Sequence, residues 1–111
     1  MSKFDDVIQA CKKQMTNQKI KIDEALLTAV TKGLGPSIYN ADTKVVAAGD
    51  KAEVDRVKKN FIEKKLGVSG DKGDKAFEAA IEKIGVSNRQ KLRPVLYYLL
   101  VKELGKESVY N

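Results

Sequence analysis

Val95-Leu96-Tyr97-Tyr98-Leu99-Leu100-Val101 restricts the fold more than any other segment of the chain. Wound as an α-helix it is apolar or aromatic on almost every side, and such a helix has to be surrounded by other elements. The stretch from Leu92 to Leu104 rises only about 20 Å, too little to span a bilayer, so its neighbours must come from protein. Those neighbours are either other parts of this chain or a second copy, and a homo-oligomer through this helix is one expectation. A strict monomer must instead bury Tyr97, Tyr98 and Val101 internally. Pro94 interrupts any helix that starts as early as Ser87, which predicts a kink there or a helix proper beginning near Arg93.

The rest of the chain carries the amphipathic segments that can do the surrounding. Ser2 and Asp5 have capping-box spacing, and Phe4, Val7, Ile8, Cys11 and Met15 recur at helical spacing, predicting a helix over 3–18 that ends at polar Asn17 and Gln18. Asp23 is placed to cap a second helix over 24–32 with Leu26, Leu27 and Val30 inward and Gly33 as its left-handed stop. Pro36 suits the first position of a short turn that carries Ile38 and Tyr39 inward. Asn40 or Asp42 can cap a further short helix over Val45, Val46, Ala47 and Ala48, stopped by Gly49. Asp50 and Glu53 introduce a helix over 51–66 through Val54, Val57, Phe61, Ile62 and Leu66, and Asp74 introduces one through Phe77, Ala80, Ile81 and Ile84 to Gly85. The loop 69–75 before it reads as flexible and polar. The expectation is an all-α fold, a single compact domain over residues 1–111 with about five to seven helices around the apolar C-terminal helix.

Composition limits the chemistry. The 111 residues include no histidine and one cysteine, Cys11. The usual general base near neutral pH, the usual metal ligand and any Ser-His-Asp or Cys-His arrangement are therefore absent. Paired acids such as Asp5-Asp6, Asp23-Glu24 and Asp71 with Asp74 each fall at a predicted helix start, where acids cap backbone N–H groups and meet the positive end of the dipole. The loop 69–75 lacks EF-hand spacing, and neither Gly67-x-x-Gly70 nor Gly33-Leu34-Gly35 follows a strand or has a phosphate-loop order. No catalytic residue, metal or cofactor is expected. The unpaired cysteine, the charged start and the lack of an apolar run of membrane length predict a cytoplasmic protein with no membrane association.

The net charge of +6 lies wholly in the second half: eight lysines meet eight acids up to residue 55, and thirteen basic residues meet seven acids after it. Eighteen of the 21 basic residues are lysine, which lacks the planar fork that grips phosphate or guanine. Around the helix predicted over 51–66, Arg56, Lys59 and Lys64 alternate with Glu53, Asp55 and Glu63 as on an ordinary solvated face. Lys58 and Lys65 fall within its apolar sector and are expected to snorkel at the core edge. The better nucleic-acid candidate is the segment 76–93, where a helix, a Gly-Val-Ser turn and a basic run through Asn88, Arg89, Lys91 and Arg93 are similar to a helix-turn-helix. Two departures weigh against it: Ile81 stands where that motif needs a small residue, and Lys91 where it needs an apolar one.

Thr31-Lys32-Gly33-Leu34-Gly35-Pro36-Ser37-Ile38-Tyr39-Asn40-Ala41-Asp42, Lys58-Lys59-Asn60-Phe61, Lys64-Lys65-Leu66-Gly67, Ser87-Asn88-Arg89, Tyr97-Tyr98-Leu99-Leu100 and Gly105-Lys106-Glu107-Ser108-Val109-Tyr110 together resemble a family of small bacterial proteins of unknown function. The likeness runs over nearly the whole chain, with Pro94 as a departure. It implies a stand-alone bacterial all-α protein and brings no activity and no site residues with it. The residues themselves favour a small helical binding or structural module without catalysis. Irregular but ordered loops hold function more often than helices do, so Gly35, Pro36, Ser37, Tyr39 and Asn40 are the candidate surface for a protein partner. Nucleic-acid binding through Asn88, Arg89, Lys91 and Arg93 is the alternative.

Overall fold

The computed structural model describes residues 3–40, 44–47, 49–85 and 91–110. Within them the chain forms α1 (Lys3–Asn17), α2 (Glu24–Gly33), a 3₁₀ turn (Gly35–Tyr39), α3 (Lys51–Arg56) running into a π-helical segment (Val57–Glu63), α4 (Asp71–Ile84), α5 (Arg93–Leu104) and a closing 3₁₀ turn (Glu107–Tyr110). The fold is all-α, with five α-helices among the described residues and a radius of gyration of 12.8 Å that marks one compact globule. No helix among the described residues is long and apolar enough to cross a membrane.

α5 is the centre, as its sequence requires. All eight residues from Pro94 to Val101 are buried, and α4 and α2 supply most of the packing around them. Pro94 sits in the first turn, where its missing N–H costs nothing, so the helix starts at Arg93 rather than kinking. Because Tyr97, Tyr98 and Val101 are covered within the chain, α5 offers no apolar face for self-association, which corrects that expectation. The Tyr98 hydroxyl is satisfied too: it donates to the Lys21 carbonyl and accepts from the Asp23 N–H, both at 2.9 Å.

α1 buries Ile8, Cys11 and Met15 along one stripe. It ends without glycine in a Schellman turn: Lys19 N–H donates to Thr16 O and Ile20 N–H to Met15 O, with Lys19 itself in the left-handed region at φ 58°. Asp23 caps α2 as expected, its carboxylate accepting from Leu26 N–H at 3.2 Å. The left-handed residue after α2 is Gly35 (φ 66°) rather than Gly33.

Three further expectations are corrected. Val45 forms an isolated antiparallel bridge with Leu92 in place of a short helix. Val46 N–H donates to Lys91 O and Arg93 N–H to Lys44 O, an arrangement that suits adjacent β-branched residues and buries Val46. α4 starts at Asp71 with Gly70 as its cap, so Asp74 lies in its first turn and most of the predicted loop 69–75 is helical. Finally, the helix expected over 51–66 widens after Arg56. At 100° per residue Val57 and Ile62 would stand about 140° apart on an α-helix. The wider π turn draws them toward one sector, and Val57, Phe61 and Ile62 are all buried. Gly73 of α4 accommodates this segment closely: a Cβ there would lie 2.9 Å from Ile62 Cγ2.

Candidate functional site

The loop singled out by sequence is ordered by local bonds. Pro36 opens the 3₁₀ turn, Ser37 Oγ donates to Leu34 O at 3.0 Å, and Asn40 O accepts from Lys44 N–H at 2.8 Å. Ile38 points inward at 3% exposure, but Tyr39 is 47% exposed, contrary to the expectation that both turn inward. With three residues per 3₁₀ turn, neighbouring side chains diverge by a third of a circle and only one of the two can face the core.

Tyr39 and Ile38 border a groove of about 370 Å³ between the loop, α1 and the start of α5. Val7, Ala10 and Cys11 of α1 and Leu92 and Pro94 form its apolar walls, while Lys3, Asp6 and Lys44 stand at its rim. Burial pushes the Cys11 thiol up to about 12, so it stays protonated and acts here as a small apolar surface. The loop was legible in sequence, whereas the opposing wall was not, because Val7, Leu92 and Pro94 are brought together only by tertiary packing.

The alternative basic cluster is distributed differently from expectation. Asn88 and Arg89 lie outside the described residues, as do Ser2 and Asp42. Lys91 sits in the extended bridge at 5% exposure, and Arg93 begins α5, so neither belongs to a recognition helix opening at Ser87. The Arg93 guanidinium pairs with Glu53 and donates to the Tyr97 hydroxyl at 3.0 Å. Arg56 reaches the other Glu53 oxygen at 2.8 Å. Burial disfavours the Glu53 carboxylate, but hydrogen bonds from Arg56 and Arg93 outweigh it and hold its pKa below the ordinary carboxylate value. For Arg93, burial opposes the charge while Glu53 and Tyr97 more than compensate. The cluster thus ties α3 to α5, and the nucleic-acid reading loses two of its three cations, Lys91 to burial and Arg93 to its pairing with Glu53.

The acids hold the structural posts anticipated for them. Asp50 accepts from Ala52 N–H at 3.0 Å, Asp5, Asp6, Asp71 and Asp74 lie in first turns, and Asp74 also pairs with Lys58 at 3.1 Å. Lys58 and Lys65 lie over the Phe77 and Tyr110 rings at 5.5 and 5.2 Å, the snorkelling positions expected of them.

Fold and surface together define a small all-α protein with an ordered loop beside an apolar groove. The chain belongs to DUF2853, a family of proteins of unknown function, which it matches over residues 4–108. No curated protein matches it.

Proposed function

We propose that this protein is a binding module without catalysis of its own, and that its partner docks on the groove beside Gly35, Pro36, Ser37, Tyr39 and Asn40. The observation that carries this reading is the Tyr39 ring, 47% exposed at the edge of a preformed apolar groove. Aromatic anchors on a rigid surface are what partner contacts use, because they bury much area for little lost freedom. The occupant that fits is a peptide segment that inserts one apolar side chain between Val7 and Pro94 and carries an acid beside it. Lys3 and Lys44 against the single Asp6 at the rim favour that charge. A bacterial, cytoplasmic setting belongs to the same reading, supported by the likeness described above and by a lone, buried cysteine.

The test compares the wild type with Tyr39→Ala and Asn40→Ala in pull-downs, with the recovered partner cross-linked to map its contact. A partner that cross-links at the groove and is lost from both variants, at unchanged melting temperature, is the expected result. A partner held equally by the variants, or mapped to another face, overturns the proposal.

A further inference from the structure

A larger cleft lies away from this groove, where α1 hands over to α2 alongside α5. It encloses about 730 Å³, within the range of roughly 300–1,000 Å³ typical of small-molecule sites. Its accessible apolar surface comes from the part-buried Ile20 and Ile22, while Tyr98 and Leu99, almost fully buried, lie beneath. Its charged lining is four lysines, Lys19, Lys21, Lys83 and Lys102, against Asp23 and Glu24.

Both acids are engaged: Asp23 caps α2, and Glu24 pairs with Lys12 at 2.6 Å. Lys83 pairs with Glu103 at 2.5 Å, and Lys102 stands loosely between Asp23 and Glu107 at 3.8 and 3.9 Å. Lys19 and Lys21 form no ion pair among the described residues. Two exposed lysines without an ion pair therefore line the cleft beside Ile20 and Ile22.

The wall that bears them is fixed in place. The Tyr98 hydroxyl holds the Lys21 carbonyl and the Asp23 N–H, so the loop is preorganised against α5. Lys19 is the one described residue other than glycine with positive φ. Glycine would close that turn with less strain. The left-handed turn that ends α1 places this cation on the lining of the cleft.

We propose that this cleft binds a small amphipathic monoanion, its apolar body on Ile20 and Ile22 and its carboxylate or equivalent head group between Lys19 and Lys21. The site is distinct from the Tyr39 groove and does not depend on it.

Octanoate, octanol and acetate, titrated into the labelled protein and followed by amide NMR shifts, test this. Octanoate is expected to shift the amides of Lys19, Lys21, Ile22 and Leu99. Octanol should bind about fivefold more weakly and acetate should leave these amides unmoved, because neither half of the ligand suffices. The double variant Lys19→Gly/Lys21→Ala should weaken octanoate by about fivefold to tenfold while melting no lower than the wild type, which separates lost binding from lost folding. Equal affinity for octanol and octanoate, undiminished binding by the variant, or shifts confined to the Tyr39 groove would each overturn the proposal. So would protein that co-sediments with phosphatidylglycerol vesicles yet shows no response to octanoate, since the charge would then serve a membrane surface.

Discussion

Lys19 shows how one residue can set local stability against a binding role. A left-handed conformation costs a residue with a Cβ roughly 1–2 kcal/mol, a cost glycine escapes, although glycine gives back part of that gain as unfolded-state entropy. Lys19→Gly is therefore expected to stabilise the fold by about 0.5–1 kcal/mol, read as a higher urea midpoint at unchanged slope. A lower midpoint would mean that the lysine stem contributes packing that outweighs the strain of φ 58°. Tyr98 works in the opposite direction. Its ring is almost fully buried at 1% exposure, and its hydroxyl satisfies two backbone groups of the loop joining α1 and α2. Tyr98→Phe keeps the ring and removes both bonds, so it should cost about 1–3 kcal/mol in denaturant unfolding and speed amide exchange at Asp23. An unchanged exchange rate there would show that the loop is held by other contacts.

Between elements, the junction of α4 with the π segment rests on Gly73. Alanine is normally the better helix former by about 1 kcal/mol, but a Cβ at 2.9 Å from Ile62 Cγ2 has no room, and overpacking costs about 1–3 kcal/mol. Gly73→Ala should thus be net destabilising. The penalty should shrink in an Ile62→Leu background, which lacks that methyl, and a thermal-unfolding double-mutant cycle measures the coupling. The second tie is Glu53 with Arg93 and Arg56. The Glu53 pKa is lowered from its ordinary 4.5, so its stabilisation is complete above that value and is lost as pH falls through the lower, folded-state pKa. Glu53→Gln should cost about 2 kcal/mol at neutral pH and flatten the fall in stability on acidification; an acid limb as steep as the wild type's would assign it to other carboxylates. Neither tie was fully legible in sequence. The periodicity of α1, α2 and α5, the Asp23 cap and the Gly85 and Gly105 stops were, because they follow from residues within a few positions of each other. The widened turn after Arg56 and the bridge of Val45 to Leu92 answer to packing with distant residues. Tyr39 was expected to turn inward and instead faces solvent, and the Lys19 turn had only a weak signal: a helix ending with no glycine.

For the whole molecule, the basic excess of +6 does not form one field. Lys58, Lys83, Lys102, Arg56 and Arg93 are each paired with an acid, several across different helices, so much of the second-half charge is spent within the fold. Apolar surface is similarly consumed. A helix apolar on all sides could have dimerised, yet α5 is enclosed by its own chain, and Tyr39 and Val109, at 47% and 37%, are the exposed large hydrophobics among the described residues. A stable interface of standard size needs about 800 Å² from each partner with a desolvated apolar centre. Two side chains do not provide one, and like net charge adds repulsion between copies. Sedimentation equilibrium should accordingly report a monomer of 12.3 kDa over a wide range of protein concentration, in low and moderate salt alike. A concentration-dependent dimer would contradict this, and its response to Tyr39→Ala would then show whether the groove assigned to a partner is in fact filled by a second copy. If the dimer survived that substitution, the interface would have to lie on the charged helical faces, and raising the salt should dissolve it.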